Sequence, residues 1–125
     1  MTDLLTGRAL DLALAEVTDA PCDRWLQGIG EPCGGQRAKH PTRHEYEPPE
    51  FDLPRIAAAE QPLRDAGWEQ KITSIKDAYE VEWWAPDAYH DDDPKIYIYT
   101  PDEVTARGNA LYRGLLKLKE ARDAR

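Results

Sequence analysis

Residues 68–100 read WEQKITSIKDAYEVEWWAPDAYHDDDPKIYIYT, and the fold turns on how this stretch is parsed. Three runs rich in β-branched and aromatic residues, 68–75, 79–85 and 95–99, are separated by a tight polar connection at Lys76-Asp77-Ala78 and a longer one from Pro86 to Pro94. Short runs of this composition bounded by turn residues predict strands, and short connections between consecutive strands predict antiparallel pairing. The expectation is a three-stranded antiparallel meander. Because successive side chains on a strand point to opposite faces, Tyr79, Val81 and Trp83 share one face, and Glu80, Glu82 and Trp84 the other. The third run sets Ile96 and Ile98 against Tyr97 and Tyr99 in the same way. The first set, Tyr79, Val81 and Trp83 together with Ile96 and Ile98, is the expected core.

On the C-terminal side, Thr100 as N-cap, Pro101 at the first position and Glu103 completing a capping box predict a helix start. Val104, Gly108, Leu111, Leu115 and Leu118 then recur at steps of four and three, forming one buried stripe. On the N-terminal side, Asp52 as N-cap and Pro54 in the first turn open a helix whose stripe is Ile56, Ala59, Leu63 and Ala66, closed by Gly67. Pro62 falls inside it and would kink or split it. A first helix over 3–17, capped by Thr2, carries Leu5, Ala9, Leu12, Ala13 and Glu16, widened by Leu10, Leu14 and Val17, and stops near Asp19 before Pro21.

Between these helices periodicity vanishes, and glycines and prolines punctuate a polar stretch. Over residues 21–50, Trp25, Leu26, Ile29 and Tyr46 are the only large apolar groups, with Trp25 the expected anchor. The order is helix, loop, helix, three strands, helix: an α+β, sandwich-like single domain over 1–125. It has a long irregular loop at 20–51 and an acidic hairpin loop at 86–94. A chain of 125 residues suits one core.

Several elements together resemble the phage ABA sandwich family of small phage and prophage proteins. They are Arg8-Ala-Leu-Asp-Leu-Ala-Leu-Ala-Glu16, a Trp-bearing loop, Tyr46-Glu-Pro-Pro-Glu-Phe-Asp52 leading into Ile56-Ala-Ala-Ala59, then residues 63–68, the aromatic strands and a Leu-rich closing helix. The resemblance spans nearly the whole chain and implies a sheet between helical layers, without implying a reaction. The 87–94 insertion and the Gly-rich loop carrying both cysteines depart from the family pattern.

The formal charge is −8, unevenly distributed. Residues 77–93 hold seven carboxylates (Asp77, Glu80, Glu82, Asp87, Asp91, Asp92, Asp93) and no Lys or Arg, whereas residues 101–125 sum to +2, six cations against four carboxylates. Nucleic-acid binding needs cations to displace phosphate counterions, so direct binding to DNA or RNA is not expected. No run of about 18 apolar residues is present to span a bilayer. The charged start is unlike a signal peptide, and a cytoplasmic setting with reduced thiols is expected.

Cys22, Cys33, His40 and His44 could satisfy tetrahedral zinc. Ten residues separate the cysteines, however, and only His40-x-x-x-His44 has a usual ligand spacing. They read as unrelated loop residues, with a zinc site or a Cys22–Cys33 disulfide as the alternatives. Asp91, Asp92 and Asp93 beside His90 lack the alternating ligands and glycine of a calcium loop and read as a solvated turn. No hydrolase, phosphate-loop or dinucleotide motif occurs, and no cofactor is expected.

Two readings remain for the second face of the sheet. In a sandwich the first helix covers it; uncovered, Trp84, Tyr97 and Tyr99 form an aromatic patch rimmed by Glu80, Glu82 and the acidic loop. Such a patch suits a basic protein surface, because aromatics supply contact area and carboxylates pair with Arg or Lys. The expectation is a non-enzymatic phage or mobile-element protein that binds and inhibits a basic, nucleic-acid-handling host protein, of the anti-CRISPR or other anti-defence type. The runner-up is a phage structural or assembly accessory, homodimeric through its aromatic face. A small hydrolase or transferase using Glu80, Glu82 and His90 is third.

Overall fold

A computed structural model of the chain describes residues 4–23, 25–26, 30–35, 46–86 and 93–123. The elements are α1 (Gly7–Thr18), β1 (Trp25–Leu26), β2 (Glu31–Pro32), α2 (Leu53–Ala59), α3 (Gln61–Asp65), β3 (Glu69–Ile75), β4 (Ala78–Trp84), β5 (Ile96–Thr100) and α4 (Glu103–Asp123). The α+β class and the expected element order hold, with the second helix present as the two pieces α2 and α3. Pro62 accounts for the break: it has no N–H to donate and its ring crowds the carbonyl four residues back.

The sheet has the order β3-β4-β5, antiparallel throughout. Ile75 pairs with Ala78, so Lys76 and Asp77 alone turn the first hairpin, and Lys76 takes a left-handed φ of 51° to do it. Val81, Trp83, Ile96 and Ile98 are buried, as alternation predicts, and α4 lies across them. The middle of α4 is buried on more than one side, at Ala106, Gly108, Asn109, Ala110, Leu111, Gly114 and Leu115, because it separates the sheet from α1. Small residues set the spacing. A Cβ on Gly108 would stand 2.8 Å from Leu10 Cδ2, and one on Gly114 would stand 2.7 Å from Leu63 Cδ1.

Several local expectations are corrected. Helix α1 begins at Gly7, after an extended Thr6, and Thr2 lies outside the described residues. Residues 4 and 5 run instead as a strap: Leu5 N–H donates to Asn109 Oδ1 and Asn109 Nδ2 donates to Leu5 O, both at 2.9 Å. The buried side of α1 is Leu10, Leu14 and Ala15, and Leu12 and Ala9 face outward. Ala66 is likewise exposed. The cap of α4 is Asp102, whose Oδ2 accepts from Thr105 N and Oγ1 at 2.9 and 2.7 Å. Thr100 cannot serve because it ends β5, paired with Tyr79. By contrast Asp52 caps α2 as expected, accepting from Arg55 N at 3.0 Å. Gly67, at φ 92°, ends α3 with Trp68 N–H bonding back to Leu63 O at 3.0 Å.

The expected loop at 20–51 contains a short ribbon. β1 pairs antiparallel with β2, and the ribbon extends through Cys22 N–H to Gly35 O at 2.8 Å and Gly34 N–H to Cys22 O at 3.0 Å. Two-residue strands, one holding a proline, have no periodicity to detect. Tyr46 ties the segment down by donating to Ala20 O at 2.6 Å, and Phe51 is buried with its N–H on Asp11 Oδ1 at 3.1 Å. The side chains of Trp25, Leu26 and Ile29 lie outside the described residues.

Sequence reading missed the buried Glu60. With no exposed surface, its Oε1 accepts from Arg107 Nη2 at 2.7 Å and Arg64 Nη2 at 3.1 Å, and its Oε2 from Gln70 Nε2 at 2.8 Å. Arg64 also lies over the Trp83 ring, 5.8 Å from its centroid. Removing one member of a buried ion network strands the others in a poor solvent. Glu60→Ala is therefore expected to cost about 3–5 kcal/mol of unfolding free energy, read from urea denaturation, whereas replacing the pair together (Glu60→Leu with Arg107→Met) should cost much less. A single-variant loss below about 1 kcal/mol would mean that the network contributes little.

Candidate partner-binding face

Helices α1 to α4 leave one face of the sheet uncovered. Glu60 and Arg64 reach Gln70 and Trp83 from the same side on which α4 packs, and α1 packs on α4. The covering of the aromatic face by the first helix, and with it a sheet between helical layers, is therefore overturned: Tyr97 and Tyr99 are 49% and 53% exposed. Apolar burial decides this. Leu10 of α1 packs against Gly108 of α4, and Leu14 is buried in the same core, so α1 has no apolar stripe left for the other face.

Register arranges the open face in two rows. Lys71, Glu82 and Tyr97 lie side by side across the three strands, and Thr73, Glu80 and Tyr99 form the adjacent row. Trp84 pairs with Glu69 beyond them and is half-buried. The rows are linked diagonally, the Tyr97 hydroxyl donating to Glu80 Oε2 at 2.6 Å. That bond fixes the ring of an exposed tyrosine, lowering the entropy it would lose on contact with a partner. Glu80, two residues away on the same face, also disturbs Glu82. Glu82 is pushed above its ordinary value by desolvation and by the charge and hydrogen bonding of Glu80, with Lys71 pulling the other way. The bond to Glu80 also raises the Tyr97 hydroxyl.

The structure brings Glu80, Glu82, Trp84, Tyr97 and Tyr99 onto one surface. Asp77 does not join them closely: it lies in the β3–β4 turn, while the 86–94 connection leaves the far end of β4, roughly 20 Å away for a seven-residue strand. Asp93 is exposed next to β5. Asp87, His90, Asp91 and Asp92 lie outside the described residues. So do His40 and His44. Of the four residues considered for zinc, Cys22 is buried and accepts from Glu47 N at 3.5 Å, Cys33 is half-buried further along the same ribbon, and no disulfide joins them. Among the described residues, no group of three or more His, Cys, Asp or Glu could hold a metal. Nor does any helix among them have the length and apolarity to cross a membrane. Sequence alternation identified the aromatic and acidic members of this face but not Lys71 and Thr73, whose placement follows from the β3–β4 register.

An acid whose folded-state pKa is raised binds protons more tightly when folded, so its contribution is favourable below its unfolded value and is lost as pH rises through the folded one. For Glu82 that window opens near the ordinary value of 4.5. The melting temperature of Glu82→Gln relative to the unmodified protein is thus expected to rise as the pH is raised from about 4. A flat difference would remove the coupling from the account. No family model, curated protein or solved structure matches this chain.

Proposed function

We propose that this chain is a non-enzymatic binding protein of phage or mobile-element type, whose open sheet face docks on and blocks a basic site of a nucleic-acid-handling host protein. The phage origin rests on the family resemblance of the α1, 46–59 and strand segments. The mode of action rests chiefly on one observation: two half-exposed tyrosines, one held by Glu80, stand with Glu82 on a sheet face that no described element covers. Tyrosine and tryptophan supply large rigid contact area, and carboxylates beside them select Arg and Lys. A surface built this way can occupy a site made for phosphates. An anti-defence role, including inhibition of a CRISPR effector, is one instance of such blocking.

Catalysis is the less economical reading. Glu80 and Glu82 stand on a strand face, where general acid–base work calls for a cleft that excludes water.

Affinity capture from a host lysate tests the proposal. Three baits are compared: the unmodified chain, Tyr97→Ala with Tyr99→Ala, and a variant neutralised to Asn at Asp91, Asp92 and Asp93. The face variant is expected to lose the captured partner by about tenfold or more, and capture should weaken between roughly 0.05 and 0.5 M salt. Equal recovery by the unmodified chain and the face variant would exclude the sheet face. Equal recovery by the acidic-loop variant would confine binding to the sheet.

A further inference from the structure

The sheet has two edges of opposite character. β3 carries Glu69 and Lys71 along its length, charges that discourage pairing with another strand. β5, at the other edge, reads Ile96-Tyr97-Ile98-Tyr99-Thr100, with no charge, proline or glycine to blunt it. Among the described residues it pairs only with β4. An unblunted edge of high β-propensity is a template for one more strand.

Beside this edge the charge of the protein changes sign. A groove of about 350 Å³ between the start of β5 and the later turns of α4 is lined by Lys95, Ile96, Tyr97, Arg113, Leu116, Lys117 and Glu120. Arg113, Leu116, Lys117 and Glu120 follow one stripe of α4, at helical steps of three, one and three. Three cations thus meet one carboxylate here, on a chain whose formal charge is −8. Among the described residues the ion pairs are those of Glu60 with Arg64 and Arg107, and none engages Lys95, Arg113 or Lys117.

We propose that β5 and this groove accept an extended acidic peptide segment of a partner protein, added to the sheet as a further strand. Main-chain hydrogen bonds to β5 supply the general affinity, and side-chain alternation supplies the selection. Residues of the added strand that point to the helical side would put carboxylates against Arg113 and Lys117, with Lys95 at the start of β5 adding to the positive charge of the groove. Those pointing the other way would lie beside Tyr97 and Tyr99, where β-branched or aromatic side chains pair well across strands. The segment therefore has acidic residues at every second position. A second copy of the chain is the poorer occupant, since its β5 brings no carboxylates and each copy carries the same net negative charge. The added strand would border Tyr97 and Tyr99 of the open face, but Arg113 and Lys117 belong to the groove alone, so reversing their charge tests this proposal without altering that face.

The test is fluorescence polarisation with the full chain and a fluorescein-labelled nonapeptide of alternating Glu and Val. Two further peptides replace Glu by Lys or carry N-methyl groups at alternate amides. The Glu-Val peptide is expected to bind, and each analogue to bind about tenfold more weakly or worse. Arg113→Glu with Lys117→Glu, checked for an unchanged circular-dichroism spectrum and melting temperature, should lose the Glu-Val peptide by a similar factor. No binding of the Glu-Val peptide overturns the proposal. So does equal binding of the Lys analogue, of the N-methylated analogue, or by the charge-reversed variant. Sedimentation showing a dimer that the peptide does not dissociate would assign the edge to self-association and also overturn it.

Discussion

Glu60 sits at the seam of α2, α3, β3 and α4, with its carboxylate accepting from Arg64, Gln70 and Arg107. A buried carboxylate is tolerable only when its lone pairs are taken up, so this residue fixes three neighbours at once. Arg107 sets the rotation of α4, Gln70 the start of β3, and Arg64 lies over the Trp83 ring on the central strand of the inner sheet face. The broken second helix follows the same constraint. Pro62, two residues after Glu60, interrupts it, and the turn of α3 carries Arg64 back onto the carboxylate.

The open sheet face depends on this arrangement. With α3 and α4 drawn to one side of the sheet and α1 packed on α4, nothing among the described elements remains to cover the other. The sheet is three strands wide and turns Val81, Trp83, Ile96 and Ile98 to one surface, which leaves Tyr97 and Tyr99 on the other. Their exposure follows from how few layers the chain has. It is not a defect of packing.

Legibility in the sequence divided along a physical line. Features that depend on local spacing could be read: the alternation of Val81, Trp83, Ile96 and Ile98, the stripe on α4, the caps at Asp52 and Gly67, and the break at Pro62. Features that depend on partners distant in sequence could not. Glu60, within AAAEQPLRD, resembles an ordinary solvated helix residue until Arg107, 47 positions away, is placed against it. Asn109 looks equally unremarkable without Leu5. The Asp102 cap was displaced by two residues because Thr100, a good cap by type, was already committed to β5. On the candidate face, strand periodicity gathered five of the right residues, but whether a helix covered them was a tertiary question. The basic groove went unread because Lys95 and Arg113 belong to separate elements.

The bond pair between Leu5 and Asn109 spans 104 residues, and the core is assembled around α4, the last of the described elements. Contacts of such sequence separation carry the full loop-closure entropy before they are rewarded. During synthesis the earlier elements emerge with their apolar faces unmatched: α1 has no α4 to pack on, and the strands have no helix across them. Vectorial folding has little to stabilise it here, and the chain acquires its structure only after the residues of α4 have left the ribosome. Until then the uncharged β5 strand is available to other chains, which makes the interval before α4 appears the period of greatest aggregation hazard.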